Sequence, residues 1–161
     1  MDETAVRQIL ADPVAQRVLR TCTLTRLGYT AGDGTPRVIP IGYVWTGSAF
    51  LLHTVPHSAK VSALTAHPRV AMTIDTETFP PNVLLVRGSA AVQIIDGVPP
   101  EYLDSGRRFI DDDEQYRSWE AGVRALYKQV ARVVITPEWV KILDFETRLP
   151  SAVEQLIRQQ Q

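Results

Sequence analysis

The sequence predicts a mainly β, α+β fold: about six antiparallel strands forming a barrel or sandwich, with helices at its periphery. Three observations lead there. Runs of β-favouring residues recur along most of the chain, some with apolar residues at every second position. Short segments rich in Gly, Pro, Asp and Ser separate them. Helical spacing of apolar residues is confined to the chain ends, to a stretch after the third strand and to one before the last.

In chain order, residues 3–11 carry Val6, Ile9 and Leu10 at helical spacing. Asp12-Pro13 then reads as a cap followed by proline at the first position of a second short helix, about 13–19. TCTLTRLGY, from Thr21, begins the β region, and AGDGTP (31–36) is a turn by composition. RVIPIGYVW (37–45) is the second strand, TGS a tight turn, and AFLLHT (49–54) the third strand, giving a meander. Ser58 to Ala66 has Val61 and Leu64 three apart and reads as a helix; His67-Pro68 ends it, because a residue before proline avoids helical geometry. RVAMTIDT (69–76) alternates, with Val70, Met72 and Ile74 on one face. VLLVRGSAAVQII (83–95) is a long strand with a bulge expected at Gly88. Tyr116, Trp119, Val123, Leu126 and Val130 form one helical stripe, preceded by acids at the favourable end. ARVVITPEWVKILDF (131–145) is a last strand broken near Pro137, and Pro150-Ser151 starts a closing helix. One domain is expected over 1–161: N-terminal helices in 1–20, the barrel in 21–146, the C-terminal helix in 150–160.

Composition narrows the function. The chain has 161 residues, 45% apolar and 22% charged, and 17 Lys plus Arg balance 18 Asp plus Glu. That balance gives no electrostatic footprint for nucleic acid. No apolar run nears the roughly 20 residues that span a bilayer, so no membrane association is expected. The start, MDETAVRQ, lacks the basic and apolar regions of a signal peptide, and one cysteine forms no internal disulfide, so a cytoplasmic protein is expected.

The chemistry concentrates in residues 53–60, HTVPHSAK. A helix start offers unpaired N–H groups and partial positive charge, which together suit an anion. Ser58 either caps the helix or offers its hydroxyl to that anion; Lys60 adds a full charge or is simply solvated; Thr54 adds a donor at the strand end. In the neighbouring run Pro40 cannot donate to a ladder, which marks either an edge covered by a helix or a place where backbone faces a ligand. Other constellations fail. Pro56 between His53 and His57 rules out one continuous helix face of HExxH type, so no metal site is expected. Gly32-Asp33-Gly34 lacks a third glycine, and Cys22 reads as a small buried residue.

The ordered set GxPRVIPIGYVW, FLLHT, SAKV, HPRVAMTID and VRGSA resembles the pyridoxamine 5′-phosphate oxidase-like split β-barrels, which include flavin and deazaflavin oxidoreductases. The likeness runs through about residues 20–95, with a weaker fit at 131–145. It implies a six-stranded split barrel binding FMN, with F420 as the alternative and haem less favoured. It implies that Arg37, Val38, Ile39, Pro40, Ile41 and Gly42 lie along the ring and ribityl chain, that His53-Thr54 contact the cofactor, and that Ser58 and Lys60 hold the phosphate. It also implies a homodimer with the cofactor between two barrels, and hydride transfer between the cofactor and a small planar conjugated substrate; it names no catalytic residue. Two departures stand out. Ala59 replaces the arginine that often precedes the phosphate lysine, and the ending DFETRLPSAVEQLIRQQQ, with Arg148-Leu149, lacks the family's substrate-gripping tail, so pyridoxine phosphate is not the expected substrate. Arg107, Arg108 and Lys128 are candidates for the polyglutamate tail of F420. The rival reading is a non-enzymatic module that stores flavin or haem on the same barrel.

Overall fold

The computed structural model describes residues 1–147 and 151–159. Two helices open it, α1 (Glu3–Leu10) and α2 (Pro13–Thr21), each begun by an aspartate. Asp2 accepts from the Ala5 amide at 2.8 Å and Asp12 from the Val14 amide at 2.8 Å, satisfying N–H groups that a helix start cannot pair itself. Val6, Leu10, Ala15, Val18 and Leu19 turn inward onto the sheet.

The strands are β1 (Leu24–Thr30), β2 (Pro36–Gly42), β3 (Val44–Trp45), β4 (Phe50–Thr54), β5 (Arg69–Asp75), β6 (Asn82–Asp96) and β7 (Gln129–Asp144). All pair antiparallel, in the order β2-β1-β5-β6-β7-β4-β3. The run expected as one strand over 37–45 thus serves both margins of the sheet. β2 pairs with β1, β3 pairs with β4, and only Tyr43 lies between them. The margins therefore meet and the sheet curls into a split barrel of six longer strands and one of two residues. Tyr43 is fully buried at this seam, and its hydroxyl donates to the carbonyls of Cys22 at 2.9 Å and Leu19 at 3.2 Å.

Period-2 patterning fills the interior. Leu27, Phe50, Leu52, Met72, Ile74, Leu84, Val86, Val133 and Ile135 form one core, and Val70, Met72 and Ile74 face it together as their alternation predicts. The long β6–β7 ladder shifts register between Arg87 and Gly88: Arg87 stands opposite Trp139 and Gly88 opposite Pro137, leaving Glu138 as the extra residue. A Cβ on Gly88 would lie 2.2 Å from the Thr136 carbonyl oxygen, so only glycine fits. The expected break at Pro137 is this bulge, and the strand continues through it.

The remaining helices are α3 (Ala59–Ala66), α4 (Pro100–Arg107), α5 (Asp113–Leu126) and α6 (Ser151–Gln159). The stripe expected to continue to Val130 stops at Leu126, which is 70% exposed. Val130 instead pairs with Ile95 in the β6–β7 ladder, whose hydrogen bonds claim the chain from Gln129 onward. α4 was not foreseen. Its start, Pro99-Pro100, reads as a break in sequence but places proline at the first helical position. Arg108 docks its end, donating to the carbonyls of Tyr43 at 3.0 Å, Leu19 at 3.2 Å and Cys22, and so closes the C-terminus of α2. The expected helix start at Pro150 and the Arg148-Leu149 pair lie outside the described residues. Among the described residues no helix is long and apolar enough to cross a membrane.

Candidate cofactor site

β4 alternates like any strand. Phe50 and Leu52 enter the core, so Thr54 follows their face while His53 takes the opposite one. A turn closed by the Ser58 amide on the Val55 carbonyl, at 3.2 Å, then leads into α3, which Ala63 and Leu64 anchor on the core. This geometry brings three expected residues together. Lys60 Nζ donates to Thr54 Oγ1 at 2.9 Å, which holds the ammonium at the strand end. Ser58 occupies the cap position but makes no capping bond, and its Oγ is buried without a partner. The first turn of α3 holds no acidic residue. Unpaired amides, a hydroxyl and a fixed cation thus converge at one helix start, a donor set that matches a phosphate in charge and hydrogen bonding.

The run from Arg37 to Gly42 is β2, a margin strand paired through its length with β1 only. Pro40, opposite Arg26, sits where a missing N–H disturbs no second ladder. Val38 is 70% exposed, while Ile39 and Ile41 pack against the core. Arg37 pairs at 3.3 Å with Asp33 of the turn that precedes β2, and both are exposed. Arg37 and Lys60 therefore engage different partners, Asp33 for one and Thr54 for the other.

His53 faces α4, away from the helix start. Its side chain is 3% exposed; its ring meets Tyr102 edge-on at 5.5 Å, and Nε2 lies 3.6 Å from Glu101 Oε1, longer than a hydrogen bond. Arg132, directly across the ladder from His53, holds the same carboxylate. Burial pushes the His53 pKa down, against the pull of Glu101. Burial alone would raise the Glu101 pKa, but its backbone hydrogen bond, Arg132 and His53 outweigh that and hold it low. Sequence reasoning missed Glu101, Tyr102 and Arg132. The available signals were a charge inside the apolar strand ARVVIT and the double proline ahead of Glu101.

Of the proposed tail-binding cations, Arg108 is spent on backbone carbonyls, and Arg107 pairs with Asp113 at 2.6 Å and lies over the Tyr116 ring at 5.0 Å. Lys128 is exposed. Cys22 is half-buried; burial pushes its pKa up, and its thiol donates to the Asp75 carbonyl at 3.2 Å.

Comparison with known proteins agrees with this architecture. The sequence pattern of the family described as pyridoxamine 5′-phosphate oxidase matches residues 11–144. Among solved structures, an F420 reductase superposes with a TM-score of 0.60 at 21% identity, over 78% of this chain and 94% of that one. A heme storage protein from Vibrio cholerae gives 0.59 at 11% identity over 81% and 93%. A conserved hypothetical protein from Mycobacterium tuberculosis gives 0.58 at 18% identity over 94% of both chains. At these identities the likeness is one of fold. No curated protein matches the sequence.

Proposed function

The chain belongs to the pyridoxamine 5′-phosphate oxidase family, and from that premise we propose that it binds FMN, or alternatively F420, by its phosphate at the start of α3 and acts as a cytoplasmic oxidoreductase. The observation that carries this reading is the pairing of an orphaned buried Ser58 Oγ with a Lys60 already tethered to Thr54. When bound, such a cofactor supplies a planar centre that exchanges hydride with a small conjugated substrate.

The chain's own groups then have distinct tasks. Lys60 neutralises phosphate charge, Ser58 donates its hydroxyl, and the first amides of α3 complete the cradle. Thr54 keeps the lysine from swinging into solvent. The Arg37–Asp33 pair is exposed and screened by solvent, so a phosphate can compete for Arg37. The free side of β2, from Val38 to Gly42, offers backbone groups to the ring edge, and a second copy of the chain covers the exposed margin from outside. The cofactor carries the electrons in either direction, so the reading asks for no nucleophile or metal from the chain.

Titrating the purified protein with FMN and with F420, followed by absorbance and by reduction with a nicotinamide donor, tests this. Saturable binding and turnover are expected. Failure to bind either cofactor overturns the reading, a haem spectrum in the protein as purified replaces it with haem storage, and bound flavin that never turns over reduces it to a binding module.

A further inference from the structure

A second feature lies on the opposite side of β4. A cavity of about 300 Å³ opens between the α4–α5 pair and the barrel, lined by Ile41, Gly42, His53, Ser105, Phe109 and Trp119. His53 Nε2 is the buried polar atom there without a hydrogen-bond partner, on a side chain that is 3% exposed. His53 and Tyr102 also line a smaller cavity of about 220 Å³ that reaches Thr54 at the phosphate corner. The walls are aliphatic, aromatic or small: Tyr102 and Trp119 are parallel within 2°, and a Cβ on Gly42 would press to 2.9 Å from Ser105 Oγ and 3.3 Å from Phe109. Charge near His53 is compensated, because Arg132 holds Glu101.

We infer that this cavity is a binding site for a neutral planar compound of one or two aromatic rings, oriented by a hydrogen bond to His53 Nε2. The volume sits at the lower end for small-molecule sites and suits one or two rings. Flat aromatic walls favour a flat ligand, and a net-neutral lining gives no reward to a charged one. Ile41 and Gly42 end the strand proposed to run along the cofactor ring, so this pocket is the seat of the conjugated substrate. That last step rests on the flavin reading; the binding site itself does not.

The test uses benzamide and benzimidazole as probes at pH 8, with calorimetry and NMR of the histidine rings. Saturable binding is expected, shifting the His53 ring signals and leaving those of His57 and His67 in place. Ser105→Phe, which fills the cavity, should weaken binding by more than about tenfold, the worth of one or two lost contacts. Ile110, which also lines the cavity, offers a second filling variant, Ile110→Trp, where Ser105→Phe fails to fold. Lys60→Ala should leave probe affinity unchanged. Absence of saturable binding, unmoved His53 signals, or full affinity in a folded cavity-filling variant overturns the proposal. Probe binding without FMN or F420 binding keeps the site and removes the cofactor reading, and the converse result removes the site alone.

Discussion

α3 and α5 begin in opposite ways. At α5, Asp112 accepts from the Gln115 amide at 2.7 Å, and Asp113 and Glu114 sit in the first turn against the positive end of the helix. The sequence closes that end by itself. At α3 the cap position holds Ser58, which caps nothing, no acid follows, and a lysine occupies the second helical position. Both ends face the same electrostatic demand. One meets it with its own carboxylates and is structural; the other has neither a side-chain cap nor an acid in its first turn, which is the basis of the proposed anion site. The lesson is that a helix start is read functionally from what fails to satisfy it.

That contrast can be broken by experiment. The largest effect is expected from Lys60→Ala, which removes a charge-assisted contact worth about 1.5–3 kcal/mol, or roughly tenfold to a hundredfold in FMN affinity, with stability changed by less than about 1 kcal/mol. Equal losses of stability and affinity, read by melting and titration, would make α3 as structural as α5. Next is Asp112→Ala. It should lower stability by about 1 kcal/mol and the melting temperature by about 2–4 °C, with cofactor affinity untouched.

Ser58→Ala sharpens the comparison from the other side. Its hydroxyl has no partner, so the usual cap penalty of about 1 kcal/mol should be absent from the melting curve. Affinity should fall by about tenfold, the lower end for one hydrogen bond to a charged group. A full cap penalty in the ligand-free protein would sink the distinction between the two helix starts.

The smallest effect concerns the other face of β4. Burial holds the His53 pKa below its ordinary 6.5, so the unfolded chain takes up the proton first as the solution is acidified. Stability contributed by neutral His53 is complete above about pH 6.5 and declines as pH falls below it. His53→Gln should flatten that part of the stability profile in denaturant titrations across pH 5 to 8. Glu101, held below its ordinary value, contributes at higher pH and loses its share only in more acidic solution.

Much of the barrel was legible because strand patterning is local. Val70, Met72 and Ile74 announce their common face, and Gly88 with Pro137 marks the bulge from both of its strands. The grouping at the start of α3 was equally local: Thr54, Ser58 and Lys60 lie within seven residues, and a strand end followed by a helix start brings them together. Arg37 was grouped with them by resemblance, yet it pairs with Asp33, four residues back in the turn before β2. The surroundings of His53 were not legible at all. Glu101 and Arg132 lie 48 and 79 positions further along the chain, and no periodicity links them to a histidine in β4.

By itself, then, the sequence determined most strands, most helices and the gathering of Thr54, Ser58 and Lys60 at the α3 start, because alternation, caps and chain neighbourhood are set within a few residues. Tertiary structure alone decided that one run of chain would serve both margins of the sheet, with Tyr43 at the seam. It also decided that the stripe of α5 would end before Val130, and that His53 would be sealed under an unforeseen helix. Those outcomes depend on which distant strand claims a backbone hydrogen bond and which face of β4 is covered, and neither is encoded in any short window of residues.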